Sequence, residues 1–163
     1  DKSLVKNQDD EFNYRLKKND YKILLNPNIK SYYYSRSSYK KLWKQYFQYG
    51  FWKVRVIQKH KLPASIRHII PFLFVGGLSL SLMLSIFNKI FLYIFLAIIL
   101  SYFLSDIIFS SMKAIKTKFS YLSKLLIIYP ILHFSYGFGF IYGILNFYIL
   151  HNYNGDNQSE ITR

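Results

Sequence analysis

Three long apolar stretches in the second half of the chain constrain its fold more than any other feature. They cover residues 69–88, 90–112 and 125–150. Each is long enough to cross a hydrocarbon core of roughly 30 Å as a helix of about 20 residues. A single membrane-spanning segment must be helical, because a helix satisfies its own backbone hydrogen bonds in lipid. The sequence therefore predicts a mainly α integral membrane protein, with three transmembrane helices in a membrane domain over residues 63–151.

Local features refine this three-span prediction. Asn88 and Lys89 separate the first two spans by a turn so short that these spans must form a hairpin. Pro130 predicts a kink in the third span. Residues 152–163 form a polar tail. Small residues allow helices to approach closely, and we expect this role for five glycines: Gly76, Gly77, Gly137, Gly139 and Gly143.

The net charge of +14 is unevenly distributed. Residues 1–68 hold sixteen of the twenty-two Lys and Arg residues, and residues 113–124 carry four lysines and no acid. Basic loops remain on the cytoplasmic side of a membrane. We therefore expect a multi-pass protein of the inner (plasma) membrane, with membrane lipids as partners and a cytoplasmic N-terminal part. No nucleic-acid motif accompanies the charge, so a nucleic-acid partner is not expected.

Residues 38–62 have the pattern of an interfacial amphipathic helix. Tyr39, Trp43 and Phe47 recur at helical spacing, and lysines occupy positions between them. Aromatic and cationic faces suit the boundary between anionic headgroups and acyl chains. Gly50 lowers the helix propensity near the middle. An ordinary surface helix on a soluble domain is the alternative interpretation.

The first 37 residues contain a short helix and a candidate pair of strands. Residues 7–20 begin with acids and end with lysines, as the helix dipole favours. Residues 22–25 and 29–34 are expected to be extended, with a turn at residues 26–28. The acids have two possible roles. They either stabilise the helix N-terminus, or one of them acts as a general base.

The order of these motifs resembles that in a known family. Residues 8–16 read QDDEFNYRL, residues 26–27 read NP, residues 33–38 read YYSRSS and residues 45–53 read QYFQYGFWK. Followed by membrane spans, this series resembles the C-terminal part of membrane-bound family 2 glycosyltransferases, particularly succinoglycan-type bacterial exopolysaccharide enzymes. The resemblance implies that residues 1–37 are the C-terminal end, or remnant, of an α/β catalytic domain of the GT-A type.

The resemblance also implies roles for individual residues. Asp9 matches the general base that takes a proton from the acceptor hydroxyl. Asp10, Gln48 and Trp52 are the candidate substrate-binding residues, although plain anchoring at the membrane surface is an equal alternative for the aromatic side chain. Phe51 departs from the family pattern, which has arginine there.

The donor side of such an enzyme has no counterpart in this sequence. It contains no Asp-x-Asp pair for a divalent metal and no Gly-rich phosphate loop. The resemblance implies an inverting transferase that uses a nucleotide-sugar donor and a glycan or lipid-linked acceptor. Its Mg²⁺ or Mn²⁺ would be held by residues outside this chain, which alone would be incomplete and inactive. The alternative function is a non-catalytic basic membrane anchor or scaffold.

Two polar residues lie within the predicted spans. Placing the Asp106 carboxylate in the hydrocarbon core costs free energy. Asp106 is therefore either functional or placed at the cytoplasmic interface near Lys113. His133 lies in the third span near its glycines, where helix packing is the expected role and catalysis the less favoured one.

Overall fold

The computed structural model describes residues 4–33, 37–61 and 65–151, and the regular elements of these ranges are all helical. Short 3₁₀ turns at Ile66–His68 and Phe119–Tyr121 precede the third and fifth α-helices, and a π-helical segment at Leu145–Ile149 follows the fifth. The five α-helices are α1 (Gln8–Lys18), α2 (Tyr39–His60), α3 (Ile70–Leu84), α4 (Lys89–Lys116) and α5 (Leu122–Ile144).

Three helical segments are long and apolar enough to span a membrane. They are Ile66–Leu84, Lys89–Lys116 and Phe119–Ile149, with mean hydropathies of 1.6, 2.2 and 1.5. The Asn88 side chain accepts a hydrogen bond from the backbone N–H of Ile90 at 2.9 Å, which caps α4 directly after the short turn. The prediction of three apolar helices is confirmed, with bounds that differ by a few residues.

The closest helix pair is α2 with α5. Gly50 packs against the backbone of Tyr136 and Phe140, while Gly139 meets the carbonyl of Phe47. A side chain at either glycine would collide with the opposing backbone. The predicted helix therefore forms, and Gly50 does not interrupt it, because contact with α5 outweighs its low helix propensity.

Aromatic side chains fill the space beside this glycine contact. Phe51 and Trp52 are each 1% exposed, and the Phe51 ring lies 4.9 Å from that of Phe147. Leu4, from the segment before α1, joins the same cluster. This core ties the start of the chain to the end of α5.

The glycine predictions are confirmed in α5 and wrong in α3. Gly137 packs against the Pro71 carbonyl and Val75, so a methyl group there would need the helices to separate. A methyl group at Gly77 would have no neighbour within 4 Å, and one at Gly76 would meet only the Phe72 ring, at 3.9 Å. These two glycines therefore do not mediate packing within the described helices.

The predicted strands are wrong for the described residues 21–33, which have no regular secondary structure. The turn is confirmed: the N–H of Asn28 donates to Asn26 Oδ1 at 3.0 Å, and that of Ile29 donates to the Asn26 carbonyl at 3.2 Å. No strand of the described chain is available to pair with them, and Leu24 and Leu25 are 89% and 92% exposed. An isolated strand pair gains too little burial to form. Tyr34, at the end of the second predicted strand, lies outside the described residues.

The two basic segments, which are α2 and residues 113–124, lie at different levels along the axis of α5. The Gln58 side-chain amide in α2 donates to the Phe147 carbonyl at 3.1 Å. Phe147 follows Lys124 by about 35 Å of helix at 1.5 Å per residue, which is more than the roughly 30 Å hydrocarbon thickness. The cytoplasmic assignment of both segments therefore rests on loop charge and needs a direct test.

Cysteine labelling in intact cells gives that test, because the sequence has no native cysteine. From the positive-inside argument we expect an impermeant thiol reagent to label Ile86→Cys, in the turn after α3, but neither Lys22→Cys nor Thr117→Cys. Permeabilised cells provide the control for reactivity at all three positions. Labelling of Thr117→Cys from outside would overturn the charge-based orientation.

Candidate functional site

A polar cavity opens where the N-terminus of α1 meets α2. Its volume is about 640 Å³. His68 and Tyr136, from two of the apolar segments, complete its wall. The polar lining residues are Lys6, Asn7, Gln8, Asp9, Asp10, Tyr49, Lys53, His68 and Tyr136.

The start of α1 is fixed against α2 by its own polar side chains. The Asn7 amide donates to the Tyr49 carbonyl at 3.1 Å, and the Gln8 amide donates to the Leu4 carbonyl at 2.5 Å. Three acids occupy the first turn of the helix, and basic residues occupy its last turn. This charge pattern stabilises α1, and its acidic end faces the cavity.

Glu11 has a structural role that sequence reasoning missed. Its side chain is fully buried, and Oε1 lies 3.1 Å from both Arg15 Nε and His60 Nε2. Lys59 Nζ is 3.9 Å from the same oxygen. Removing a buried partner from such a contact, here Glu11 or His60, costs roughly 3–5 kcal/mol. Glu11 thus joins α1 to the C-terminal end of α2. Its four-residue spacing from Arg15 is visible in the sequence, but its proximity to His60 is not.

Asp10 and Lys53 form an ion pair across the cavity wall. The Lys53 side chain is only 8% exposed. Burial lowers the pKa of Lys53 from its usual 10.5 to about 8, and the Asp9 carboxylate acts in the opposite direction. Lys53 thus lies in the field of both acids, with part of its charge removed near neutral pH.

The lowered pKa of Lys53 predicts unusual amine reactivity. At pH 8 about half of its amine is neutral, whereas an exposed lysine with a pKa near 10.4 is well under one per cent neutral. We expect acetic anhydride labelling of Lys53 to rise with a midpoint near pH 8. Peptide mass spectrometry can compare it with the exposed Lys17 of α1 in the same sample. A midpoint for Lys53 near that of an ordinary exposed lysine would contradict this prediction.

Asp9 lies at the cavity with its side chain exposed. The structure thus brings together two of the four site residues expected from the sequence, Asp9 and Asp10. A carboxylate on a rigid first helical turn and open to a cavity has the placement that a general base needs. His68 and Tyr136 were not expected here. Both come from segments apolar enough to span a membrane, so nothing in the local sequence places them beside Asp9.

Gln48 and Trp52 occupy the other face of α2. They are 7% and 1% exposed and are absent from the cavity wall. The Trp52 ring packs 5.3 Å from Phe51 and 6.0 Å from Phe147. In this arrangement Trp52 presents no open ring face to a sugar. Phe51, at the position where the family pattern has arginine, belongs to the same apolar core.

The part of the chain that the structure describes contains no group of three His, Asp or Glu side chains able to hold a metal ion. Of the two acids on the cavity wall, Asp10 is engaged with Lys53, and Asp9 alone is open to the cavity. These residues do not fit a divalent metal site, so no chemical step is assigned to a metal here.

Comparison with known proteins gives two partial similarities. The chain is 43% identical over 75 residues to a Methanococcus voltae dolichyl N-acetyl-alpha-D-glucosaminyl phosphate 3-beta-D-2,3-diacetamido-2,3-dideoxy-beta-D-glucuronosyltransferase. The aligned region covers 46% of this chain and 23% of that relative. It is also 34% identical over 71 residues to the succinoglycan biosynthesis protein ExoA of Rhizobium meliloti. This aligned region covers 44% of this chain and 22% of that relative.

The chain matches less than a quarter of the length of each of these relatives. No family model and no solved structure matches it. The two similarities support a relationship to glycosyltransferases and to polysaccharide biosynthesis. Together with the three apolar helices, they define the class of protein as a multi-pass membrane protein related to glycosyltransferases.

Proposed function

We propose that this chain forms the acceptor side and membrane anchor of an inverting family 2 glycosyltransferase. The enzyme would move a sugar from a nucleotide sugar to a lipid-linked or polysaccharide acceptor. The Methanococcus relative is named for action on a dolichyl-linked sugar phosphate, which supports an acceptor of this class. The succinoglycan name of the other relative supports a role in cell-surface polysaccharide synthesis.

The observation that carries the proposal is the position of Asp9. Its exposed carboxylate lies on a cavity whose wall also contains His68 and Tyr136, from segments apolar enough to enter a membrane. An acceptor attached to a lipid must bring its hydroxyl to the active site beside the membrane. A base on the same cavity meets that hydroxyl without requiring the lipid to leave the bilayer.

The proposed chemistry is a single displacement with inversion. Asp9 removes the proton from the acceptor hydroxyl as its oxygen attacks the anomeric carbon, and the nucleotide leaves from the opposite face. The Asp10–Lys53 pair and the Glu11 cluster hold α1 against α2, which keeps Asp9 in a fixed position. Asp10 thus supports the site through Lys53. Donor contacts and the Mg²⁺ or Mn²⁺ would come from residues outside this chain.

Two buried polar atoms of the cavity wall have no hydrogen-bond partner in the protein: His68 Nδ1 and the Tyr136 hydroxyl. Both can bond to the hydroxyl groups of a sugar. In the present arrangement, His68 and Tyr136 are therefore better candidates than Gln48 and Trp52 for contacts with the acceptor substrate. A role for the latter two residues in substrate binding remains a proposal that requires α2 to expose its other face.

A transfer assay with the intact gene product tests this function. Membranes containing the protein are incubated with radiolabelled nucleotide sugars and polyprenyl-linked sugar phosphates, and the lipid fraction is analysed for a longer glycan. We expect transfer for at least one donor, with the opposite anomeric configuration in the product. A folded protein that transfers from no donor of a complete panel would contradict the proposal and favour an anchoring role.

A further inference from the structure

A second cavity lies between α4 and α5, within two of the apolar helical segments. Its volume is about 480 Å³, and it shares no lining residue with the cavity around Asp9. Its wall combines aromatic rings with one carboxyl group and one imidazole. The residues that matter are Tyr102, Asp106, Phe109, Tyr129 and His133.

Asp106 is the unusual member of this wall. It is 6% exposed, and its Oδ1 accepts a hydrogen bond from the Ser110 hydroxyl at 3.0 Å. Its Oδ2 is buried and has no hydrogen-bond partner. A carboxylate at this depth is costly unless a donor or a cation meets it. No lysine or arginine of the described chain lines the cavity, so the protein itself offers this carboxyl group no cation there.

His133, from α5, and Tyr102, one turn before Asp106 on α4, add a hydrogen-bonding pair to the wall. The Tyr102 hydroxyl lies 3.0 Å from His133 Nδ1. When the phenol donates to Nδ1, the imidazole proton lies on Nε2 and remains available as a donor. The cavity therefore combines an unpartnered acceptor with a donor and several aromatic faces.

The surroundings of the cavity are apolar and open. Leu104 and Phe109, on the same helix, are 62% and 63% exposed. Lys113 follows Asp106 by about two helical turns and gives the nearby end of the span its charge. A ligand that reaches Asp106 from this side is therefore amphipathic, with an apolar body along the helices and a polar group that enters the cavity.

We propose that this cavity binds the primary ammonium of a phospholipid headgroup, with Asp106 Oδ2 as its acceptor. The ammonium supplies both the positive charge and the hydrogen-bond donor that the buried carboxylate lacks. The rings of Tyr102, Phe109 and Tyr129 favour a cation beside them. This site is independent of the transferase function.

Lipid-resolved native mass spectrometry of the full chain in detergent micelles tests the proposal. Three probes separate the chemistries: phosphatidylethanolamine has a donating ammonium, phosphatidylcholine has a quaternary ammonium without donors, and phosphatidylglycerol has hydroxyl donors without a cation. A hydrogen bond to a charged group is worth at least a factor of about ten in binding. We expect phosphatidylethanolamine to bind the wild-type protein about tenfold more tightly than either of the others.

Asp106→Asn keeps the size and the bond from Ser110 but removes the charge. It should abolish the preference for phosphatidylethanolamine. Ser101→Ala is the matched control, because Ser101 is exposed on the same helix and its hydroxyl bonds only the Ile98 carbonyl, at 2.9 Å. Equal binding of all three lipids, a preference for phosphatidylglycerol, or a preference that survives Asp106→Asn would each overturn the proposal.

Discussion

Asp9→Asn should reduce turnover of the intact transferase by about two to four orders of magnitude, the range expected for loss of a general base. The substitution keeps the size of the side chain and removes the basic carboxylate. The affinity for the nucleotide sugar should change little, because the donor contacts are proposed to lie outside this chain. Initial rates at saturating acceptor, together with a donor-binding isotherm, separate the two quantities.

Asp20→Asn is the matched control for this experiment. Asp20 is exposed just after α1 and is absent from the cavity wall, so its neutralisation should leave turnover unchanged. Equal and mild effects at Asp9 and Asp20 would show that Asp9 only stabilises the N-terminus of α1, at roughly 0.3–1 kcal/mol. The anchoring function would then be favoured over catalysis.

The other two acids of the first turn are unsuitable as neutral controls. Glu11 is buried among Arg15, Lys59 and His60, so Glu11→Gln should destabilise the α1–α2 junction. Asp10→Asn would leave the nearly buried Lys53 without its partner. Both substitutions would lower activity through the position of α1, and neither would isolate proton transfer at Asp9.

The spans were predictable from the sequence because a bilayer imposes a length and a polarity on any crossing helix. The helix α2, predicted over residues 38–62, was also predictable from the three- and four-residue spacing of Tyr39, Trp43, Tyr46 and Phe47. These are local patterns. Each can be recognised without knowledge of what the segment contacts.

Long-range partners explain what the sequence left open. Asp9, Asp10 and Glu11 are equivalent as a run of acids, yet one is exposed, one pairs with Lys53 and one is buried against His60. These differences depend on where α2 packs. The predicted strands failed for a related reason, since extended propensity alone does not supply the neighbouring strand that a sheet requires.

Gly50 shows how tertiary contact reverses a local preference. Glycine in a helix costs about 1 kcal/mol relative to alanine, so the sequence indicated a weak point in α2. The structure shows that an alanine methyl at position 50 would overlap the Tyr136 carbonyl oxygen. The residue that looks least helical is therefore the one that lets α2 approach α5.

Gly139→Ala should separate α2 from α5 and destabilise the protein by about 3 kcal/mol or more, at the upper end of the cost of overpacking. The added methyl group would overlap the Phe47 carbonyl oxygen. Because the opposing atom belongs to the backbone, no side-chain rotation can relieve the clash. The helices must move apart, which opens the core around Phe51 and Trp52.

Gly77→Ala is the same substitution at a helical glycine with no neighbour within 4 Å of the new methyl group. It should be neutral or stabilise the protein by about 0.5–1 kcal/mol through helix propensity. In a Trp43→Phe background, Trp52 is the remaining tryptophan, and its emission should shift to longer wavelength for Gly139→Ala but not for Gly77→Ala. Equal emission and equal thermal stability of the two variants in detergent would refute the close α2–α5 contact.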